Sequence, residues 1–324
     1  AQQTGISHLI EHLMFKGTES IGTRNIERES EILDRIDRVW KERRSIRGRQ
    51  ADALGKKRKR LARQAETLSR ELESLQNQAR ELTYLGEFSL LYSEQGGTGL
   101  DANTHQDLTL YYVTLPADKL ELWFWLESDR LLHSVFREFY QEVEVIHEER
   151  RLRIESTPTG PADEELRTLF WGDHPYAWNP MGHADHLSAL ARTDAIDFFN
   201  HNYRSDNLTL ALVGPIDTKE VSRWANRYFG RLPAVDRQGP PIDLPGADAF
   251  EARRLEATCE CPPQVHILYP ATRFGDSDGY ALQLLSAIMN GRTGRLYRDL
   301  VLDRQIAFAA YTQQIPRKRA GLFS

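Results

Sequence analysis

Cysteine is almost missing from this 324-residue chain, and so is any long apolar run. The two cysteines, Cys259 and Cys261, lie one residue apart in EATCECPPQ. Two thiols cannot complete a structural zinc site, and one close pair makes no disulfide framework, so both read as ordinary strand residues. The most apolar stretch, LELWFWL at 120–126, is broken by Glu121 and far too short to span a bilayer, so no transmembrane segment is expected. An excess of one charge is lacking too: 42 Lys and Arg stand against 47 Asp and Glu, a net charge of −5. That balance gives no global argument for nucleic acid or an anionic membrane as partner. The opening AQQTGISHLIEH has no initiator methionine, basic n-region or apolar h-region, so any targeting signal is expected upstream.

What is present is the texture of a soluble globular chain, 40% hydrophobic and 27% charged, long enough for two domains with proper cores. Residues 27–85 are intensely charged and nearly free of proline and aromatics. Within them Leu61, Ala65, Leu68, Leu72, Leu75, Ala79 and Leu82 recur at spacings of four and three, the seam of a long helix packed on another helix. Ile32, Leu33, Ile36, Val39 and Trp40 supply the partner stripe, so a helical hairpin is expected, with KKRKR at 56–60 as its solvated tip. Beyond it, residues 108–116 and 208–214 read as strands, with helices expected at about 119–133, 136–156, 162–171 and 193–203. The proline- and glycine-rich 232–246 marks a boundary. A strand (QVHILYPA), two helices split by a glycine turn and a final incipient strand (RAGLFS) follow, so the chain reads as continuing past both ends.

The chemistry concentrates in TGISHLIEHLMFKGTE, residues 4–19. Residues four apart share a helix face, so His8 and His12 can offer imidazole nitrogens to one ion, with Glu11 leaning to the same side. Zinc suits two imidazoles and a carboxylate with one position open for water, and a nearby carboxylate can take the water's proton. The third ligand must come from another element. FYQEVEVIHEERRLRIES offers Glu142, Glu144, His147, Glu148, Glu149 and Glu155, and spacing alone does not choose among them.

The stretch GISHLIEHLMFKGT resembles the G-x-x-H-x-x-E-H-x-x-F-K-G-T signature of the insulinase- or pitrilysin-like (M16) metallopeptidases, whose H-x-x-E-H reverses the commoner H-E-x-x-H order. The resemblance continues through GGTGLDANTHQDLTLYY, EERRLRIESTPTG, HPYAWNPMGHADHLSAL, FFNHNYRSDNLTLALVGPID and GRTGRLYRDLVLDRQIAFA, leaving out only the charged hairpin. It implies an α+β, LuxS/MPP-like metallopeptidase domain over 1–235, with an antiparallel sheet and helices packed on it. The hairpin 27–85 is then an insertion, 236–248 a linker, and 249–324 the start of a second similar domain. It implies Zn2+ as cofactor, held by His8, His12 and Glu149, with Glu11 as general base and Glu142, seven residues before Glu149, steadying the site. The activity implied is that of a zinc endopeptidase on peptides or unfolded segments, and a non-catalytic partner subunit that keeps the fold is the rival reading.

The resemblance also implies that substrate adds as a strand along Asp101, Ala102, Asn103 and Thr104. Here Asp101 stands where the family usually has Asn, and an ionised carboxylate cannot donate a hydrogen bond. The family's Arg and Tyr donors, seven residues apart, correspond to Val301 and Phe308, which have no side-chain donor. A C-terminal half or a partner subunit is therefore expected to supply them. Likeness to exported bacterial members points to the periplasm or cell envelope. His147, His174, His183, His186 and His201 read as structural or surface residues, and Trp123, Phe124 and Trp125 as core.

Overall fold

The computed structural model describes residues 3–233 and 251–324, so the expected linker at 236–248 lies outside the described residues. The chain divides into two compact units, Ala1–Arg150 with Pro180–Gln238, and Arg151–Asn179 with Gly239–Ser324.

In the first unit a short helix α1 (Ile6–Leu13) is followed by the helical hairpin α2 (Ile26–Ala51) and α3 (Gly55–Glu81). Asn25 caps α2, its side chain accepting from the Arg28 amide at 2.9 Å, which satisfies one of the donors a helix start leaves open. Of the seven expected seam residues, Leu61, Ala65, Leu72, Leu75 and Ala79 are at most 9% exposed, and Leu68 and Leu82 are half-buried. The hairpin has two parts. Its proximal half gives Leu33, Ile36, Val39, Trp40, Leu72, Leu75 and Ala79 to the main core, where they meet Ile6, Leu9, Ile10 and Leu13 of α1. Its distal half closes on a separate small cluster of Ile46, Ala53, Leu61 and Ala65. At the root the chain enters and leaves at one point, where Thr23 bridges Thr83 and the Tyr84 amide donates to the Gly22 carbonyl at 3.1 Å.

After α4 (Glu87–Glu94) comes the antiparallel pair β1 (Thr98–Thr104) and β2 (Thr109–Thr114), in which Asp101 faces Tyr112 and Thr104 faces Thr109. Helix α5 (Leu120–Leu132) follows close to its expected bounds, and α6 (Phe139–Arg150) starts three residues later and ends six residues earlier than expected. Phe124 of α5 is fully buried and Trp123 half-buried, whereas Trp125, expected in the core, is exposed at 41% because it projects from the opposite side of the helix to Phe124 and Leu126. Residues 208–214, expected as a strand, form no ladder with any described residue, and Leu210 and Val213 are exposed. Their composition suits a pleated surface, but strand propensity is expressed only against a neighbour that supplies the ladder.

The second unit holds α7 (Gly160–Trp171) and an antiparallel sheet ordered β3 (Tyr269–Ala271), β5 (Gly321–Phe323), β4 (Gln314–Pro316), with a small core of Trp171, Tyr176, Ala177 and Leu322. Of the expected strand QVHILYPA only its last three residues pair. Cys259 and Cys261, expected as independent cysteines, are joined, their Cα atoms 5.3 Å apart; alternate residues of an extended segment project to the same side.

The two-part hairpin predicts unequal costs. Leu75→Ala, in the main core, should lower stability by about 2–5 kcal/mol. Leu61→Ala, in the distal cluster, should remove amide protection from the outer arm and move the global transition far less. Denaturant titration with hydrogen exchange on both variants checks this; equal losses would contradict the division.

Candidate metal centre

α1 is too short to be stable alone and is held by its surroundings. Ile6, Leu9, Ile10 and Leu13 lie in the core at under 5% exposure, which turns His8, Glu11 and His12 to the opposite side. Gly5 starts the helix at φ 89°, and a Cβ there would come within 2.6 Å of the Met181 carbonyl oxygen. Gly17 ends the following turn at φ 92°, where a Cβ would sit 2.3 Å from the Ile21 carbonyl oxygen, so neither position admits a side chain. That turn closes around buried Arg137, whose Nη1 donates to the Lys16 and Ile21 carbonyls at 3.1 Å and Nη2 to the Thr18 carbonyl at 2.7 Å. Glu29 accepts from Arg137 Nε at 2.6 Å and neutralises it.

α6 packs on α1 and brings Glu149 to the histidines. Its Oε2 lies 3.8 Å from His8 Nε2 and 3.6 Å from His12 Nε2, and the three donor atoms all fall within 4.8 Å of one another. A tetrahedral zinc with bonds of about 2.0–2.2 Å holds its ligand atoms roughly 3.3–3.6 Å apart. The two histidine–Glu149 distances stand within a few tenths of an ångström of that spacing, and two imidazoles with one carboxylate are donors this ion takes.

Glu142, two turns earlier on the same face of α6, lies 3.3 Å from His12 Nδ1 through its Oε2. Occupying Nδ1 aims His12 Nε2 at the centre. Glu142 is itself held by Lys16, whose Nζ is 2.5 Å from Oε1 and donates to Glu138 Oε2 at 3.1 Å. Burial acts to raise the Glu142 carboxyl, but its bonds with His12 and Lys16 and the Lys16 charge outweigh it and keep the group below its ordinary value. Glu138 also pairs with Arg80 of α3 at 3.5 Å, so the hairpin reaches the same network.

Glu11 is buried and accepts a hydrogen bond from the Thr104 hydroxyl of β1. Burial raises its carboxyl above the ordinary value, against the Thr104 bond and the His12 charge. Asp101 Oδ1 accepts from the Ala102 amide at 2.9 Å, and Tyr112 links Asp101 to Asn103, so these β1 side chains brace one another across the strand pair. Glu11, Phe15, Lys16, Tyr84, Leu85 and Glu138 line a cleft of about 540 Å³ beside the histidines.

The remaining candidates are elsewhere. Glu148 is exposed, and His147 Nε2 meets Ser188 at 3.0 Å. His186 pairs with Thr4 at 2.8 Å, and buried His174 Nδ1 accepts from the Tyr176 amide at 3.0 Å. Phe308, in the second unit, is fully exposed. Sequence reasoning gave Lys16 no role, and because it lies beyond the end of α1 no helical spacing ties it to His12. It also paired Thr104 with substrate and not with Glu11, and nothing near Arg137 announces its network.

The family model described as the peptidase M16 inactive domain matches residues 189–324. The chain is 25% identical over 244 residues to the zinc protease PqqE of Helicobacter pylori, covering 74% of this chain and 55% of that protein. It is 26% identical over 149 residues to the beta subunit of the yeast mitochondrial-processing peptidase, 45% of this chain and 32% of that one. Residues 189–324 thus match an M16 peptidase family model, and the relatives that align beyond them are named as zinc proteases. In fold, the chain resembles the crystal structure of a protease from Helicobacter pylori, with a TM-score of 0.69, 20% identity, and coverage of 99% of this chain and 64% of that one. It also resembles the periplasmic protease PqqL of Escherichia coli, with a TM-score of 0.58, 16% identity, and coverage of 99% and 30%. It spans about half the length of the curated relatives it matches. His8, Glu11, His12, Glu142 and Glu149 all lie outside the segment that matches the inactive-domain model.

Removing the Lys16 ammonium should loosen Glu142 and through it His12. Lys16→Met is expected to weaken zinc binding on the order of 10-fold, with Lys16→Arg recovering part of it, measured by competition against a chelator. Unchanged affinity in Lys16→Met would show that Glu142 holds His12 without help.

Proposed function

We propose that this chain is a zinc-dependent endopeptidase acting on peptides or unfolded polypeptide segments. The observation that carries the reading is the convergence of His8, His12 and Glu149 beside a buried carboxylate, Glu11, that is not needed as a ligand. Zinc bound by those three residues would supply Lewis acidity, acidifying a water and polarising the scissile carbonyl. Glu11 takes the proton of the attacking water and delivers it to the departing amine. Its low-polarity setting suits both halves of that exchange, since a carboxylate with a raised pKa is the stronger base. Thr104 fixes the rotamer of Glu11, while Glu142 and Lys16 fix His12. Substrate lies along the edge of β1 at Asp101, Ala102, Asn103 and Thr104, held by main-chain hydrogen bonds. β1 pairs only with β2 among the described residues, which leaves that edge open. The cleft lined by Phe15, Tyr84 and Leu85 together with Lys16, Asp101 and Glu138 takes the side chain next to the scissile bond.

PqqL is described as periplasmic, and on this reading the present chain works in the periplasm or cell envelope as well. A second reading, a peptide-binding M16-fold subunit that does not cut, is favoured by Val301 and Phe308, neither of which can donate to an oxyanion. On the preferred reading a C-terminal half or partner subunit contributes those donors.

Glu11→Gln separates the two. Metal-dependent hydrolysis of a mixed peptide library should fall by a factor of roughly 100 or more in this variant while zinc content stays at one per chain. Equal turnover by both proteins would remove Glu11 from the chemistry. Equal silence in the presence of the completing half would favour the binding subunit.

A further inference from the structure

The distal end of the hairpin carries a charge pattern that the peptidase reading leaves unused. Between Arg47 and Arg63 the chain has eight Lys and Arg residues against one acid, Asp52. All eight cations are exposed, and none is in an ion pair with a carboxylate among the described residues. The ion pairs of the hairpin, Arg35–Glu71 and Arg70–Glu66, lie nearer its root. With a net charge of −5 for the whole chain and +7 in these 17 residues, everything else sums to −12. Arg43, further in, is already pushed below its ordinary value, by burial first and then by the Arg47 charge. Unlike charges are thus segregated and not interleaved, which is unusual for a merely solvated helix face.

A second feature sits at the same place. Leu54 occupies the turn between α2 and α3 and is 84% exposed, an apolar side chain at the apex with Arg49 behind it on one side and Lys56 on the other. The distal cluster of Ile46, Ala53, Leu61 and Ala65 holds this end together without drawing Leu54 in. A projecting apolar residue flanked along the chain by exposed cations matches a phospholipid surface, where the cations meet headgroup phosphates and the apolar side chain enters the acyl boundary. Nucleic acid fits less well. There is no aromatic residue between Trp40 and Tyr84 to stack on bases, and an exposed leucine at the apex gains nothing from a phosphate backbone.

We propose that the tip of the α2–α3 hairpin, Leu54 with Arg47, Arg49, Lys56, Lys57, Arg58, Lys59, Arg60 and Arg63, is a docking surface for an anionic phospholipid membrane. The acidic remainder of the chain is repelled by the same surface, so attachment is oriented tip first. Electrostatics supplies most of the attraction and Leu54 the preference for lipid over other polyanions.

Co-sedimentation of the 324-residue chain with vesicles tests this. Vesicles of phosphatidylglycerol and phosphatidylcholine should bind it, those of phosphatidylcholine alone should not, and binding should weaken as salt rises through the physiological range. Replacing Lys56, Lys57, Arg58, Lys59 and Arg60 with Gln should reduce partitioning by on the order of 100-fold or more, and Leu54→Ser alone by about fivefold. Circular dichroism establishes that both variants remain folded, and a fluorescent duplex DNA is titrated in parallel. No binding to anionic vesicles at low salt would overturn the proposal. So would indifference to Leu54→Ser with tighter binding to DNA than to vesicles, which would make the tip a general polyanion site.

Discussion

The contact on which the site depends is the burial of one face of an eight-residue helix. α1 has no stability of its own at that length, and its two histidines and glutamate are held in register only because Ile6, Leu9, Ile10 and Leu13 are locked into a core. The wall of that core is built from three distant parts of the chain: α6, the proximal hairpin, and α9 (Arg192–Asn202), which contributes Ala195 and Phe199. Ligand geometry is therefore set by hydrophobic packing on the far side of the helix, and the polar face has only to fill in what that packing presents.

The polar face is organised as a chain of charges. From His12 outward, Glu142, Lys16, Glu138 and Arg80 alternate in sign as far as α3. All but Arg80 are partly buried, so the inner pairs matter more than surface pairs would, and the outermost one, at 54% exposure of Arg80, is a surface contact. Lys16 belongs to the stretch of sequence that leaves α1, and its backbone is pinned by Arg137. The same short segment thus fixes the ion-pair chain through its side chain and the turn through its carbonyl.

How much of this was legible beforehand follows from what kind of interaction encodes it. Periodicities reported the hairpin, α1, α5, α6 and α9 well, because burial of one helix face writes itself into local spacing. The pair His8 and His12 was readable for the same reason. Glu149 was not separable from Glu142, Glu144, Glu148 or Glu155 by spacing, and only the likeness to a known motif singled it out. Strand 208–214 failed because its composition states a capacity to pair and not the presence of a neighbour. Arg137 and the Thr104–Glu11 contact were invisible, since each joins residues about 90 or more positions apart with no periodic trace.

The pinched root of the hairpin has a consequence for chain entropy. Some 136 residues lie between His12 and Glu149, and a loop of that size must be closed before the ion can be gripped. The bridge from Thr23 to Thr83 short-circuits nearly half of it, because the helical excursion returns to where it began. Each doubling of a loop costs only about 0.6 kcal/mol, and a prefolded excursion avoids most of even that. An arm of nearly sixty residues can thus sit between two halves of a metal site while leaving the cost of bringing them together almost as it would be without the arm.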